Sequence, residues 1–406
     1  MSSSALFQNV PLAPRDPILG LNEQFGADPR GTKVNLGVGV YFDEHGKLPV
    51  LACVAEAERQ LVGAGKPKGY LPIDGIAAYD RAVQDLVFGA DAPVLREGRV
   101  ATVQALGGTG ALKLGADFLA GIDAAAPVLI SDPSWENHRA LFTQAGFTVS
   151  TYPYYDAATR GVRFEAMLAA LRGARAGSIA VLHACCHNPT GCDLTPAQWA
   201  EVARACRDAS LVPYLDMAYQ GFGDGIAEDG AVVQRFIEAG RPFLVATSFS
   251  KSFSLYGERV GALSIVCADA DEAKRVLSQL KIVIRTNYSN PPTFGAQVVT
   301  TVLTTPALRR MWEEELAGMR GRIRAMRQAL VDGLRAAGVP GAAGELDYIT
   351  RQKGMFSYSG LGAAQMQRLR AEFGIYGVDS GRICVAALNH GNLPAVVQAL
   401  AQVMRG

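Results

Sequence analysis

The stretch from 178 to 251 decides the fold class. It contains three short apolar runs, SIAVLHA (178–184), LVPYLDMAY (211–219) and PFLVATSFS (242–250), and a helical pattern, TPAQWAEVARACRDA (195–209), between the first two. Thr195 followed by Pro196 is typical of a helix N-terminus, where threonine caps free N–H groups and proline fits the first turn. Apolar runs that alternate with helices predict parallel strands joined by crossover helices.

The same alternation extends towards the N-terminus. RVATVQAL (99–106) precedes the helical TGALKLGADFL (109–119), and APVLISD (126–132) precedes the helical SWENHRALFTQAG (134–146). We therefore predict an α/β protein with a large, mostly parallel sheet. In such sheets ligands bind at the carboxyl ends of the strands, so the residues just after each strand are the candidates for a functional site.

The remaining sequence predicts a second, smaller α+β domain. Residues 308–338 carry apolar side chains at helical spacing and predict one long helix that links two domains. Beyond it, GMFSYSGL (354–361) and RICVAAL (382–388) are typical of strands, whereas 363–374 and 394–404 are typical of helices. We expect an N-terminal arm (1–13), a large domain (49–313) and a small domain (14–48 plus 314–406).

The composition excludes several classes of partner. With 39 basic and 38 acidic residues, the net charge of +1 provides no positive field for nucleic acid or an anionic membrane. No apolar run approaches the roughly 18 residues of a membrane span, and the N-terminus lacks a signal-peptide pattern. Seven cysteines without a C-x-x-C pair indicate a reducing compartment. We expect a cytoplasmic protein that acts on small molecules and uses no metal.

The end of the run 242–250 places a lysine among hydroxyl groups. Ser248 and Ser250 lie just before Lys251, and Arg259 follows it eight residues later. Lysine forms imines with aldehydes, while serine and arginine bind phosphate, so the set suits a cofactor that carries both groups. Taken alone, Lys251 could equally be a solvated loop lysine.

Other strand ends strengthen the case for Lys251. Asp216 lies near the end of an apolar strand, where a carboxylate needs a cation such as a protonated pyridine nitrogen. The turn 107–110 (GGTG) offers backbone N–H groups to a phosphate. Asn188 follows a third strand. His183 and His187 lack an obvious carboxylate or cysteine set for metal ligation, so we expect structural roles for both.

In these residues the chain resembles the class I, fold-type-I aminotransferases that use pyridoxal phosphate, in their aspartate and aromatic amino-acid branch. The resemblance is closest to the bacterial tyrosine or aromatic amino-acid aminotransferases. It spans nearly the whole chain, through VNLGVGVYFDEHGKLPVL (34–51), YLPIDG (70–75), SDPSWENH (131–138), CCHNPTG (185–191), SFSKSFSLYGERVG (248–261), NYSNPP (287–292) and SGRICVAALN (380–389).

The resemblance implies a role for each matching position. Lys251 is expected to form the Schiff base and to move the substrate's proton, Asp216 to pair with the pyridinium, and Trp135 to stack on the ring. Tyr219 and Asn188 are expected to bind the phenolic oxygen of the cofactor. The residues expected to bind the phosphate are Gly108, Thr109, Ser248, Ser250, Arg259 and, from a neighbouring subunit, Tyr70. The family pattern also implies cis peptide bonds at Asp132-Pro133 and Asn188-Pro189.

Two arginines match the family's carboxylate-binding positions. Arg382 is expected to bind the substrate α-carboxylate, with Gly39 and Asn188 beside it, because a guanidinium fork binds a carboxylate at two points. Arg285 is expected to bind the distal carboxylate of aspartate or glutamate across a homodimer interface. Without the resemblance, a solvated salt bridge is the better explanation for either arginine.

The segment 40–48 bears on substrate choice. Phe42 and Leu48 stand where strict bacterial aspartate enzymes of this family tend to be polar, and an apolar rim favours burial of an aromatic ring. Val40, Thr109 and Asn290 instead resemble the aspartate pattern, and Gly69 matches neither branch well. We predict a broad enzyme that transfers the amino group of tyrosine or phenylalanine to 2-oxoglutarate, and also takes aspartate. A narrow aspartate aminotransferase is the alternative.

Two other functions fit parts of the sequence less well. A decarboxylase or lyase could use the same cofactor, although two carboxylate-binding arginines argue against it. A non-catalytic α/β protein that binds a sugar or nucleotide would leave Lys251 without a role.

Overall fold

The computed structural model describes residues 6–13, 18–339 and 346–405. Parts of the predicted arm and small domain (1–5, 14–17, 340–345 and 406) lie outside the described residues. The helices are α1 (Leu19–Ala27), α2 (Ala52–Gly63), α3 (Ala77–Phe88), α4 (Pro93–Arg96), α5 (Gly107–Asp123), α6 (Glu136–Gln144), α7 (Phe164–Arg172), α8 (Pro196–Asp208), α9 (Ile226–Ala239), α10 (Ala270–Asn287), α11 (Phe294–Thr304), α12 (Pro306–Ala336), α13 (Tyr348–Arg351), α14 (Ala363–Phe373) and α15 (Leu393–Arg405). The strands are β1 (Val34–Asn35), β2 (Val100–Leu106), β3 (Val128–Asp132), β4 (Val149–Pro153), β5 (Tyr155–Asp156), β6 (Gly161–Val162), β7 (Ile179–His183), β8 (Val212–Met217), β9 (Phe243–Ser248), β10 (Val260–Val266), β11 (Phe356–Tyr358), β12 (Ile375–Tyr376) and β13 (Arg382–Cys384).

A seven-stranded sheet in the order β2-β10-β9-β8-β7-β3-β4 forms the centre of the protein. Strands β9, β8, β7 and β3 run parallel to one another, as predicted. Strand β4, which was not predicted, lies parallel beside β3. Strand β10 is antiparallel to both β2 and β9, and the sequence analysis did not predict it. The fold is therefore α/β with a mostly parallel sheet.

Alternate side chains of the central strands pack into two separate cores. In β9, Leu244 and Ala246 pack on the face that α5 covers, whereas Phe243 and Val245 pack into the larger core on the other face. Because both faces of the sheet are buried, the sequences of these strands are continuous apolar runs. The cap at Thr195 is confirmed, since its side chain accepts a hydrogen bond from the Gln198 N–H.

The N-terminal segment joins the C-terminal part of the chain through strand pairing. Val34 and Asn35 of β1 lie parallel to Ile375 and Tyr376 of β12. The long helix is confirmed as α12, close to its predicted bounds. The prediction of one strand over 382–388 was wrong in its second half: the chain leaves the pairing with β11 after Cys384 and forms a 3-10 turn at Val385–Ala387. Helix α1 was also not predicted, because the prolines before it indicated a turn-rich arm.

Candidate active site

A cavity opens at the carboxyl edge of the sheet. Ten of the eleven residues predicted to bind a cofactor line this cavity. They are Gly108, Thr109, Trp135, Asn188, Asp216, Tyr219, Ser248, Ser250, Lys251 and Arg259. Three further residues complete the lining: Leu112, His183 and Ala218. The structure thus brings together residues that are far apart in the sequence.

The strand order explains this convergence. Strands β2, β10 and β9 are neighbours, so the start of α5, Arg259 and the serines after β9 meet at one end of the cavity. Strands β8, β7 and β3 follow in order across the sheet and bring Asp216, Asn188 and Trp135 to the other end. Lys251 follows β9 and lies between the two ends.

The side chain of Lys251 is adapted to act as a nucleophile. The pKa of Lys251 is lowered to about 8, mainly by burial. The Asp216 carboxylate opposes this decrease, and nearby Arg259 adds to it. Its Nζ lies 5.1 Å from the centre of the Tyr219 ring. Near neutral pH a sizeable fraction of this amine is therefore uncharged and able to attack a carbonyl carbon.

Asp216 is held as a carboxylate by a histidine that the sequence analysis did not single out. Burial alone would raise the pKa of Asp216, but a hydrogen bond from His138, with nearby His183 and Lys251, keeps that pKa below its ordinary value. His138 Nε2 lies 3.0 Å from Asp216 Oδ2, and its Nδ1 lies 2.9 Å from Ser134 Oγ. An ionised Asp216 is suited to pair with a protonated ring nitrogen.

The expectation that no carboxylate lies near the histidines was wrong. Ligand atoms of His138, His183 and Asp216 all lie within 4.8 Å of one another, because β7 and β8 are adjacent and His138 of α6 is hydrogen-bonded to Asp216. Neither ring nitrogen of His183 has a hydrogen-bond partner among the described residues. The pKa of His183 is held well below its usual range by burial and by the neighbouring histidines, so its ring is neutral.

The opposite end of the cavity is built to receive an anion. Gly108 and Thr109 lie in the first turn of α5, where backbone N–H groups lack intrahelical partners. The sequence analysis placed this glycine-rich turn before the helix, but the helix already begins at Gly107. A Cβ on Gly107 would lie 2.6 Å from Arg259 Nη2, so only glycine lets the arginine approach this turn.

Arg259 itself is held in an unusual backbone conformation. Its φ is 56°, in the left-handed region that non-glycine residues rarely adopt. Its Nη1 donates to the Tyr256 carbonyl at 2.9 Å and approaches Ser250 Oγ at 3.5 Å. No carboxylate in the described part of the chain forms an ion pair with Arg259. The guanidinium is thus free to bind a phosphate.

Arg382 is a buried cation next to this cavity, with 1% of its surface exposed. Its Nη1 donates to Asn188 Oδ1 at 3.1 Å, and its Nη2 donates to the Gly37 carbonyl at 2.8 Å. Its guanidinium carbon lies 4.4 Å from the centre of the Phe356 ring. A Cβ on Gly39 would lie 2.7 Å from that ring, so Gly39 keeps the approach to Arg382 open.

Besides Arg382 and Gly39, four other predicted site residues are not part of the cavity lining. Tyr70 is 96% exposed, and Arg285 is exposed on α10, where its only hydrogen bond among the described residues goes to Ser289. Leu48 is 45% exposed, and Phe42 is half-buried against the larger core. The single chain therefore does not bring Tyr70 or Arg285 to Lys251.

The donor set fits pyridoxal phosphate. The molecule has a basic ring nitrogen, an aldehyde and a phosphate, and the cavity offers the Asp216 carboxylate, the Lys251 amine and the free N–H groups beside Arg259. Both predicted cis peptide bonds, Asp132-Pro133 and Asn188-Pro189, are present.

Comparison with known proteins gives a consistent result. The sequence profile of aminotransferase class I and II matches residues 31–400. The chain is 59% identical over 400 residues to an aspartate aminotransferase of Pseudomonas aeruginosa, which covers 98% of this chain and 100% of the relative. It is 54% identical over 402 residues to an aromatic-amino-acid aminotransferase of Escherichia coli, with the same coverage.

A solved structure extends the similarity to the whole fold. The aromatic-amino-acid aminotransferase from Burkholderia pseudomallei, covalently bound to pyridoxal phosphate, superposes with a TM-score of 0.96 at 62% identity. The match covers 99% of this chain and 100% of that chain. The fit of the cavity and these similarities lead to one conclusion: the chain belongs to the class I and II aminotransferases, enzymes of fold type I whose cofactor is pyridoxal phosphate.

Proposed function

We propose that the enzyme transfers the amino group of tyrosine or phenylalanine to 2-oxoglutarate, and that it also accepts aspartate. The observation that carries this proposal is the position of Arg382, which bonds Asn188 in the cavity that also holds Lys251. An amino acid anchored there by its α-carboxylate reaches Lys251 with its α-carbon. The apolar side chains of Phe42 and Leu48 favour an aromatic substituent at the rim.

The chemistry that pyridoxal phosphate supplies when bound is an aldehyde for the substrate amine and a ring that withdraws electrons from the substrate α-carbon. Asp216 keeps a proton on the ring nitrogen. Lys251 would hold the cofactor through its Nζ. Once the substrate amine had replaced Lys251, the freed Nζ would be the group that takes the proton from the substrate α-carbon. One amine with a lowered pKa serves as nucleophile and as base.

The other cavity residues position the reacting groups. Trp135, Tyr219 and Asn188 line the cavity. Trp135 would stack on the cofactor ring, and Tyr219 and Asn188 would donate hydrogen bonds to its phenolic oxygen. The phosphate is bound by Gly108, Thr109, Ser248, Ser250 and Arg259. Arg382 orients the substrate through its α-carboxylate, with Gly39 beside it. These roles rest on the geometry above and on the family resemblance.

We further propose that the functional unit is a homodimer with shared active sites. Tyr70 and Arg285 are exposed, yet the family resemblance assigns them to the phosphate and to the distal carboxylate. Both assignments require a second subunit. Leu6, Phe7 and Leu12 of the arm are also largely exposed in the single chain, which fits an arm that packs on a partner.

Mixed dimers test the shared site. A Lys251→Ala subunit combined with an Arg285→Ala subunit should regain activity towards aspartate, because one of the two sites then has both residues intact. Each parent alone should have almost none. Absence of recovery in a mixture shown by mass spectrometry to contain heterodimers would contradict the shared site.

The domain division proposed above, 14–48 plus 314–406 against 49–313, agrees with the pairing of β1 and β12. We also propose that the enzyme acts in the cytoplasm, on the basis of its unpaired cysteines. Within the described residues no helix combines the length and the apolar character that a membrane span requires.

A narrow aspartate aminotransferase is the second candidate, because the relative from Pseudomonas aeruginosa carries that name. The two functions are separated by kcat/KM for phenylalanine and for aspartate. A preference for aspartate above about a thousandfold, near 4 kcal/mol, would overturn the aromatic proposal. Loss of visible absorbance after borohydride, with the cofactor fixed to Lys251, tests the imine itself.

A further inference from the structure

One carboxylate lies beside the substrate-binding arginine. Glu136, the first residue of α6, places its Oε2 4.0 Å from Nη1 of Arg382. Its side chain is 34% exposed, whereas that of Arg382 is buried. Among residues 6–13, 18–339 and 346–405, it is the only carboxylate within ion-pair distance of Arg382.

Arg382 has otherwise only neutral partners. It bonds an amide oxygen of Asn188 and a carbonyl of Gly37, it lies against the Phe356 ring, and its Nε has no hydrogen-bond partner among the described residues. A buried cation in such surroundings attracts any anion that can reach it. The substrate α-carboxylate would therefore bind where the negative charge of Glu136 already contributes to the electrostatic potential.

The helix position of Glu136 does not account for this contact. An acidic residue in the first turn of a helix is favoured by the helix dipole, and Glu165 in the first turn of α7 shows the same preference. The dipole explains why an acid is tolerated at the start of α6. It does not explain why the acid points at Arg382.

We propose that Glu136 is a specificity-determining residue that disfavours substrates with a second carboxylate. Its charge opposes the α-carboxylate of every substrate equally, but it additionally repels the distal carboxylate of aspartate, glutamate or 2-oxoglutarate. Aromatic substrates lack that second charge. This inference rests on the proposed transamination and names a residue that sets the balance between its two substrate classes.

Equilibrium binding to the holoenzyme tests the inference without turnover. The ligands are succinate, a dicarboxylate, and 3-phenylpropionate, an aromatic monocarboxylate, each titrated by calorimetry. Glu136→Gln should tighten succinate binding about three- to tenfold more than 3-phenylpropionate binding, as expected for charges several ångströms apart in a partly solvated cleft. Raising the salt concentration should shrink this difference, because mobile ions screen the charge of Glu136.

Two further variants control for structural effects. Glu165→Gln, which removes an equivalent helix-terminal charge away from the cleft, should leave both affinities unchanged. Glu136→Asp keeps the charge and should keep most of the discrimination. Equal changes for the two ligands under Glu136→Gln, or weaker binding of both, would overturn the inference, because Glu136 would then merely support Arg382.

Kinetics separate this inference from the proposed function. In Glu136→Gln, KM for aspartate should fall while kcat stays within about twofold, since the residue acts on binding rather than on proton transfer. If the wild type does not transaminate phenylalanine, the proposed function fails, whereas the ratio of the two affinities still reports on Glu136.

Discussion

The site has two regions, a cofactor end and a substrate rim. The single chain brings the residues of the cofactor end together, but it does not bring those of the rim together. The cofactor end, defined by Asp216, Lys251 and Arg259, lies at one edge of three neighbouring strands, and the three residues line one cavity within the chain. The substrate rim, defined by Leu48, Tyr70 and Arg285, is exposed and scattered.

This difference suggests a division of tasks, with the chemistry at the cofactor end and the substrate specificity at the rim. Chemistry requires a fixed geometry and a controlled pKa, and both come from burial against the sheet. In the proposed function, specificity is set at a rim that a second subunit would complete and that a few substitutions can change. The following predictions test this division, and their expected effects decrease from the cofactor end to the rim.

Lys251→Ala should have the largest effect. Removing both the nucleophile and the proton carrier should lower kcat at least about ten-thousandfold, measured for phenylalanine and for aspartate under saturating cofactor. Lys274→Ala, which removes an exposed lysine of α10, should retain wild-type activity. A decrease of less than about a hundredfold would mean that another group moves the proton.

Arg382→Lys tests the boundary between the two regions. Lysine keeps the charge but loses the planar fork and the bonds to Asn188 and Gly37, so kcat/KM should fall by about a hundred- to a thousandfold for every substrate. The decrease should be similar for phenylalanine and aspartate, because both carry an α-carboxylate. A selective loss for one of them would place Arg382 at the specificity rim instead.

Arg285→Ala should separate the substrates. We expect kcat/KM for aspartate to fall about a hundredfold, as for loss of a charged hydrogen-bonding partner, while kcat/KM for phenylalanine stays within about threefold. Arg275→Ala on the same helix serves as the control. An equal loss for both substrates would show that Arg285 is needed for the structure and not for recognition.

The sequence predicted the cofactor end better than its supporting residues. The apolar runs identify parallel strands, and their ends identify Asp216 and Lys251, because burial on both faces leaves a strong local pattern. His138 was missed because its partner Asp216 lies 78 residues away, and no local pattern encodes that contact. The same holds for Glu136 and Arg382.

Strand β10 was missed for a different reason. Residues 260–266 are as apolar as the other strands. The prediction, however, relied on strands that alternate with helices, and no helix separates β10 from β9. That strand nevertheless matters for the site, since it carries Arg259 at its start. The rim residues could be assigned only through family resemblance, because the packing of their own chain does not constrain exposed side chains.

The pH dependence of cofactor capture tests the buried amine. The pKa of Lys251 is lowered to about 8, so below that pH its amine is mostly protonated and unreactive. The rate at which the apoenzyme binds pyridoxal phosphate covalently should rise about tenfold per pH unit up to pH 8 and then level off. Stopped-flow absorbance measures this rate, and a rise that continues to pH 10 would indicate an ordinary solvated lysine.

Leu48→Asn should have the smallest effect and the most specific one. Leu48 is 45% exposed, so an aromatic substrate buries only part of its side chain. Replacing that partial apolar contact with an amide of similar size should lower kcat/KM for phenylalanine about three- to fivefold and leave aspartate nearly unchanged. Val50→Asn, which changes a more exposed apolar residue two positions away, is the control. If both variants behave alike, the rim does not extend to Leu48, and the preference for aromatic substrates must come from Phe42 or from the partner subunit.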